Sequence, residues 1–276
     1  GTPALQSWVR VKATQRKWLS SNLSVSRSPE GDSPLLETSA RYKFTVSYDG
    51  TNFWGFQRQT GVRTIQAEIE SALKRLGWEE TTIIGAGRTD TGVHAEGQVF
   101  SADLRWAHGC EKLKAALNAE LPEDIAILNV EPAADSFHPR YDAQSRVYRY
   151  RIYQSAVREP LKERYKWRIW PAMDLERLKT TAKVLVGEHD FRAFGSPPRK
   201  NGATKRQVMN ADWFPGPENE IYFEVQADGF LYHMVRRMVM LQHMVDCGWL
   251  SWDDWERAVL RGEAAKPGIA PAKGLS

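Results

Sequence analysis

The chain reads Gly85-Ala-Gly-Arg-Thr-Asp-Thr-Gly-Val-His-Ala-Glu-Gly-Gln-Val-Phe100 directly after a short apolar run. Its closely spaced glycines allow a tight turn or a close approach to a ligand. An alternating run at residues 98–104 predicts a strand after the loop. The loop contains one carboxylate, Asp90, two residues after Arg88. The stretch therefore predicts a glycine-rich loop between two strands that presents an acid beside a guanidinium.

Asp90 has two interpretations on the residues alone. An Asp in a glycine-rich loop commonly caps its own backbone in a turn. An acid beside a guanidinium is instead favoured in its carboxylate form, and a carboxylate on such a loop can act as a nucleophile. The residues by themselves leave both interpretations open.

Composition describes an ordinary globular protein of 276 residues, 42% hydrophobic and 26% charged. This length suits one large domain or two medium ones. No apolar run is long enough for a membrane-spanning helix, so we expect none. The two cysteines, Cys110 and Cys247, fit neither a disulfide framework nor a C-x-x-C metal site. We therefore predict a reducing compartment, the cytoplasm.

Positive charge is concentrated in two segments, although the net charge is only +4. Residues 140–168 carry nine Lys or Arg against three Asp or Glu, and residues 191–211 carry five Lys or Arg and no acid. This distribution predicts a surface that binds a polyanion. A solvated charged surface is the alternative.

Residues 1–40 differ from the rest, being rich in Ser, Arg and Lys. They predict a poorly ordered tail with one short helix near residues 5–19. Such a start also resembles a transit peptide, which would place the protein in an organelle.

The remaining chain predicts two α+β units, 41–145 and 146–276, each reading strand, helix, strands, helix. A cleft between them is the natural place for an active site. The expected strands are 42–48, 81–86, 97–104, 124–131, 146–153, 206–214 and 220–227. The expected helices begin at Thr64, 111, Asp174, about 231 and 251, and His189 with Asp190 are expected to pack at a helix end.

The loop pattern G-A-G-R-T-D-x-G-V-H-A resembles the catalytic loop of the TruA-type tRNA pseudouridine synthases. Further segments extend the resemblance over nearly all of 42–276, and their order and spacing make it specific. They are Tyr48-Asp-Gly-Thr-Asn-Phe-Trp-Gly-Phe-Gln57, Arg63-Thr-Ile-Gln66, Asn118-Ala-Glu-Leu-Pro-Glu-Asp124, Phe137-His-Pro-Arg140, Arg146-Val-Tyr-Arg-Tyr150, Gly187-Glu-His-Asp-Phe191, Phe230-Leu-Tyr-His-Met-Val-Arg236 and Ala270-Pro-Ala-Lys-Gly-Leu275.

The resemblance implies the pseudouridine synthase fold, with two RRM-like or ferredoxin-like subdomains around a central cleft. It implies that a homodimer converts uridine to pseudouridine at positions 38–40 of the tRNA anticodon stem-loop, without cofactor or metal. In that reaction the C1′–N1 bond breaks, the uracil rotates, and C5 is joined to C1′.

Site residues follow from the same resemblance. Asp90 is the catalytic carboxylate, and Arg88 pairs with it and helps to displace the target base. Tyr148 stacks on the uracil and is suited to proton transfer. Arg236 corresponds to a basic residue close to the Asp, and Leu275 to a leucine that lines the uracil pocket. The sequence departs from the family pattern at Phe56, at Met240, and after Ser276, where the family continues into a final strand.

Exposed basic side chains at 191–211 are predicted to position tRNA through its phosphates rather than to catalyse; they are Arg199, Lys200, Lys205 and Arg206. His94 is expected to be structural. The alternatives are a non-catalytic RNA-binding protein with tandem RRM-like domains and a metal-dependent nuclease. An Arg-x-Asp pair recessed in a loop favours the enzyme over a pure binder, and a nuclease needs clustered acids or histidines that the sequence does not show.

Overall fold

The computed structural model describes residues 39–197 and 201–276. The predicted tail at 1–40 lies outside the described residues except for its last two, and Ala40 already begins the first strand. Within the described ranges, no helix combines the length and apolar character needed to cross a lipid bilayer.

The first half forms a four-stranded antiparallel sheet. Its strands are β1 (Ala40–Tyr48), β2 (Ile84–Gly85), β3 (Ala95–Leu104) and β4 (Ile125–Pro132), in the order β2-β3-β1-β4. Helices α1 (Ile65–Arg75) and α2 (Cys110–Glu120) follow β1 and β3 along the chain. A β-α-β-β-α-β chain in this strand order is the ferredoxin-like arrangement.

Strand alternation explains why this half folds as it does. Phe44, Val46 and Tyr48 of β1 all point to the buried face, as a period of two requires. Phe44 lies opposite Phe100 of β3, and their rings stack with centroids 4.6 Å apart. Each such buried aromatic contributes about 1.5–3 kcal/mol through the hydrophobic effect. The helices cover this face, so the core lies between helices and sheet.

The second half forms a five-stranded mixed sheet. Its strands are β5 (Arg146–Gln154), β6 (Trp167–Ile169), β7 (Gly187–Asp190), β8 (Lys205–Pro215) and β9 (Glu220–Ala227), in the order β6-β5-β9-β8-β7. Only β5 and β6 are parallel. The helices are α3 (Pro160–Glu163), α4 (Leu175–Val184), α5 (Met234–Asp246) and α6 (Trp252–Arg261).

The end of the described chain returns to β5. Leu275 forms an antiparallel bridge with Tyr150, and Ser276 exchanges two backbone hydrogen bonds of 2.9 Å with Arg149. This is the position that the fourth strand of a ferredoxin-like unit occupies beside its first strand. The α+β fold class with two sheet-and-helix units is confirmed.

Side chains cap the N-termini of α4 and α6, whereas α1, α2, α3 and α5 begin without a side-chain capping bond. The Asp174 carboxylate accepts hydrogen bonds from the backbone N–H groups of Glu176 and Arg177, which confirms the predicted start of α4. Thr64 occupies the N-cap position of α1, but its hydroxyl makes no capping bond.

In α5, Met240 fills the space beside Gly268, where a Cβ atom would lie 2.9 Å from the methionine Cγ.

His189 and Asp190 lie at helix ends, as predicted, but they also belong to a strand: His189 Nε2 lies 3.2 Å from the Val186 carbonyl just after α4, and Asp190 lies against Gly262, the C-cap of α6. Residues 187–190 are strand β7, which pairs with β8 at the sheet edge. The Asp190 carboxylate accepts from the backbone N–H of Arg192 and so begins a short 3-10 turn, Phe191–Ala193. A strand that is only four residues long carries too little alternation to be recognised from sequence.

One contact between the halves is made by Asp49, which follows β1. Arg164 and the Tyr165 hydroxyl, from the second half, both donate to its Oδ2 atom, at 2.8 and 3.0 Å. Burial opposes the charge on Asp49, but hydrogen bonds from Thr51, Tyr165 and Arg164 outweigh it and lower the pKa from 3.8 to about 2. The predicted domain boundary after residue 145 falls between β4 and β5 and stays a prediction.

Candidate active site

Asp90 lies on the loop between β2 and β3, and the segment 49–57 packs against this loop. Phe56 donates its backbone N–H to the Thr89 carbonyl at 3.1 Å. Gly55, with φ of +92°, approaches so closely that a Cβ atom would lie 2.8 Å from the Thr89 oxygen. Only glycine tolerates both this conformation and this contact. The loop that carries Asp90 is therefore held in place by the 49–57 segment.

The Asp90 carboxylate is bound by side chains from the other half of the molecule. Arg236 donates from Nη1 to Oδ2 at 2.9 Å, and His233 Nε2 lies 3.4 Å from the same oxygen. The Arg236 Nε donates to the Ala270 carbonyl at 2.8 Å, which fixes the guanidinium. Among the described residues, the other carboxylate oxygen, Oδ1, has no hydrogen-bond partner. One oxygen is anchored and the other is available to a substrate.

The expected pairing of Arg88 with Asp90 is not present. Arg88 is exposed on the same loop and lines the cleft, but the two residues form no ion pair. The partner is Arg236 of α5, which the resemblance had implied to lie close to Asp90.

His233 was not singled out from the sequence, although it lies in a recognised motif. It begins α5 with φ of +68°, in the left-handed region, and its ring stacks on Tyr232 with centroids 3.6 Å apart. Burial is the main cause that lowers its pKa; Asp90 opposes this effect, and Arg236 and Arg237 add to it. At neutral pH the imidazole is therefore uncharged and leaves Arg236 as the main countercharge.

Tyr148 and Leu275 both line the same cleft as Asp90. The Tyr148 ring meets Phe230 edge to face, with centroids 4.9 Å apart. Burial raises the pKa of Tyr148, so its phenol is neutral at pH 7 and can donate or relay a proton rather than act as a preformed base. Tyr150 is fully buried and donates to the Pro271 carbonyl, as a core residue does.

The cleft has a volume of about 1040 Å³ and lies between the two sheets. Its charged lining consists of five arginines and two aspartates, namely Arg88, Arg140, Arg146, Arg206, Arg236, Asp90 and Asp228. A concave surface with this excess of positive charge attracts and concentrates a polyanion.

A family model described as tRNA pseudouridine synthase matches residues 45–142 and 181–276, well over half of the chain. The chain belongs to the tRNA pseudouridine synthase family. The family recognised from the Asp90 loop and its accompanying motifs is thereby confirmed.

Individual members of the family resemble the chain over most of its length. The tRNA pseudouridine synthase A of Moorella thermoacetica is 46% identical over 203 residues, which cover 71% of this chain and 80% of that protein. Those of Thermoanaerobacter sp. and Listeria monocytogenes serotype 4a are 38% and 36% identical. They match 83% and 85% of this chain and 94% and 96% of their own lengths.

Much of the positive charge at 140–168 is neutralised within this family member. Seven of the nine basic side chains form ion pairs with carboxylates, including Arg149 with Glu224 and Arg164 with Asp49. The two that form no ion pair among the described residues, Arg140 and Arg146, both line the cleft. Counting all nine basic residues therefore overestimates the positive charge that this segment presents to a polyanion.

Of the described basic side chains at 191–211 that were expected to contact tRNA, only some lie at the cleft. Arg206 lines the cleft, whereas Lys205 is exposed and lies 3.9 Å from Glu188. Arg199 and Lys200 lie outside the described residues.

Metal-ligating side chains come together outside the cleft. Within 39–197 and 201–276, the one group of three potential ligands is His243, Asp246 and Cys247, at the end of α5.

His94 is buried beside the cleft loop, where its Nδ1 accepts from the backbone N–H of Gly50 at 3.1 Å, in keeping with the structural role predicted for it.

Proposed function

We propose that this protein isomerises uridine to pseudouridine in the anticodon stem-loop of tRNA, at positions 38–40, with Asp90 as the catalytic carboxylate. The observation that carries the proposal is the Asp90 carboxylate in the arginine-lined cleft, with Oδ2 bound by Arg236 and Oδ1 unoccupied by the described residues. Membership of the tRNA pseudouridine synthase family supports the reaction, and the relatives named above are tRNA pseudouridine synthases A.

In the proposed reaction the C1′–N1 bond breaks and a C1′–C5 bond forms. A proton leaves C5 and one is bound at N1, so that the atoms of substrate and product are the same. Positive charge develops at C1′ as the first bond breaks, and the free Asp90 Oδ1 stabilises it there, as a carboxylate does at the anomeric carbon in glycoside chemistry. Arg236 keeps the carboxylate in place while the base rotates.

Tyr148 and Leu275 enclose the uracil in this proposal. The Tyr148 ring is fixed by Phe230 and offers a stacking surface to a base that has left its own stack. Its neutral hydroxyl takes part in the proton transfer that the rearrangement requires. Arg88, exposed on the Asp90 loop, occupies the space that the target base vacates in the RNA.

In this proposal, phosphates of the tRNA are bound by arginines that have no carboxylate partner among the described residues. Arg140, Arg146 and Arg206 line the cleft around Asp90 and contact the backbone on either side of the target nucleotide. We further propose that the protein acts as a homodimer in which one subunit holds the tRNA presented to the other. Sedimentation of the free protein tests this point, because a monomer at micromolar concentration would contradict it. Cytoplasmic location stays a prediction.

Asp90→Asn is the direct test. The amide keeps the shape of the side chain and loses its charge, so we expect pseudouridine formation to fall by about a thousandfold or more. Binding of tRNA should change by less than about threefold, since phosphate contacts dominate affinity. Asp228→Asn, the same change on the other acid of the cleft, is the matched control.

Two outcomes would contradict the proposal. Turnover by Asp90→Asn within about tenfold of wild type would remove the residue from the chemistry. A wild-type protein that binds tRNA and forms no pseudouridine would favour the RNA-binding alternative.

A further inference from the structure

Trp54 has an unusual position for a large apolar side chain. It belongs to the Tyr48–Gln57 motif, and its indole is 59% exposed and lines the cleft that contains Asp90. Its neighbours Phe53 and Phe56 are almost completely buried. Single exposed apolar residues are common on protein surfaces, so exposure alone does not indicate a binding site.

The backbone around Trp54 is fixed to the Asp90 loop. Trp54 donates its N–H to the Arg63 carbonyl at 2.9 Å, and its own carbonyl accepts from the Gln59 side chain at 2.9 Å. The next two residues, Gly55 and Phe56, form the close approach and the hydrogen bond to Thr89 described above. The backbone that carries the indole is therefore held against the Asp90 loop, so less of the chain has to be ordered when a ligand binds.

Trp54 also differs from the other aromatic side chains that line the cleft. Tyr232 stacks on His233, Tyr141 lies 4.2 Å from the His138 ring centroid, and Tyr148 meets Phe230. Within the part of the chain that the structure describes, Trp54 has no aromatic, cationic or hydrogen-bonding partner for its ring. Its indole is thus available to a ligand in the cleft that it lines.

We propose that Trp54 is a stacking platform for a nucleobase adjacent to the target uridine. This inference rests on the proposed function. A nucleotide that leaves the helical stack also exposes the faces of its neighbours, and an aromatic side chain recovers about 1–3 kcal/mol for each base that it covers. The ligand of this subsite is an unpaired base of the RNA loop, and a purine covers the indole most completely. Trp54 acts by holding the strand and is not part of the chemistry.

A coupling experiment tests the platform. Synthetic anticodon stem-loop RNAs carry an abasic residue at one of the two positions 5′ or the two positions 3′ of the target uridine. Dissociation constants are measured for wild type, Trp54→Ala and Trp54→Phe. Trp249→Ala is the matched control, because Trp249 is 60% exposed and lies outside the cleft lining.

We expect Trp54→Ala to weaken binding of the intact RNA by about tenfold and Trp54→Phe by less than about threefold, since a phenyl ring still stacks. Trp249→Ala should bind within about twofold of wild type. At one flanking position the abasic residue should weaken binding to wild type about tenfold and leave binding to Trp54→Ala unchanged. The KM of Trp54→Ala should rise while kcat at saturating RNA stays constant.

Additive losses at all four positions would overturn the inference, as would unchanged binding by Trp54→Ala. Wild-type binding and pseudouridine formation on the intact RNA are measured in the same series. If both occur and the coupling is absent, only the role of Trp54 fails. If wild type neither binds nor modifies the RNA, the proposed function fails as well.

Discussion

Arg236→Gln distinguishes the ion pair found in the structure from the one expected from the loop sequence. The change removes the charged hydrogen bond to Asp90 Oδ2 at 2.9 Å and the bond to the Ala270 carbonyl at 2.8 Å. Both side chains of the ion pair are more than four-fifths buried, at 14% and 19% exposure. Loss of one partner leaves the carboxylate poorly compensated, and we expect unfolding to require about 2 kcal/mol less free energy.

The activity should fall further than the stability. Without its guanidinium, the Asp90 carboxylate can rotate away from the ribose, and a displacement of about 1 Å costs up to about a hundredfold in rate. Arg237→Gln is the matched control, because Arg237 is the next residue on α5 and donates to the Ala193 carbonyl instead. It should retain stability within about 0.5 kcal/mol and most of the activity.

Urea unfolding followed by circular dichroism and single-turnover pseudouridine formation at saturating tRNA measure the two effects. Arg88→Gln belongs in the same series, and we expect it to lower the rate without lowering stability, since Arg88 is exposed and unpaired with Asp90. The reasoning is refuted if Arg88→Gln destabilises the protein as much as Arg236→Gln, or if Arg236→Gln behaves like Arg237→Gln.

Three further predictions concern other side chains. Tyr148→Phe should lower single-turnover rate by about a hundredfold with little effect on affinity; full activity would limit Tyr148 to stacking. Asp49→Asn should lower the free energy of unfolding at pH 7 by about 1–2 kcal/mol. This difference should vanish between pH 4 and 2, where wild-type Asp49 is protonated first in the unfolded and then in the folded state; a difference that persists at pH 2 would contradict it. Replacing Lys205 and Arg206 by Ala should flatten the salt dependence of tRNA affinity by about two units, whereas Arg158→Ala, which breaks an ion pair with Glu163, should leave the slope unchanged.

Long elements with clear periodicity could be predicted from the sequence. The alternation in β1 and the apolar face of α5 each extend over nine residues or more, so that many positions agree on one period. Asp174 identified the start of α4 because a capping carboxylate acts locally.

Two short strands, β6 and β7, could not be predicted, because pairing with a neighbouring strand determines each of them. Trp167–Ile169 becomes a strand only through parallel pairing with β5, and Gly187–Asp190 only through pairing with β8. Neither segment is long enough to show a period of its own.

At the candidate active site, too, the sequence identified residues of one contiguous motif but not all contacts between segments that are far apart in the chain. The contiguous motif identified Asp90 and its loop, and Tyr148 lies in the cleft as the resemblance implied. The resemblance implied that Arg88 pairs with Asp90 and that Arg236 lies close to it. The structure brings in Arg236 and His233 from α5 instead. Likewise, a count of charges at 140–168 could not show which of them neutralise acids from other segments, such as Glu224.

The ion pair between Asp90 and Arg236 joins residues that are 146 positions apart. During translation at about 5–20 residues per second, Asp90 therefore leaves the ribosome about 7–30 s before its countercharge. The first sheet can form in that interval, but its carboxylate has no anchor until α5 has been made and has docked. Under the proposed function, a nascent chain or one truncated before α5 therefore lacks the anchored carboxylate and should form no pseudouridine.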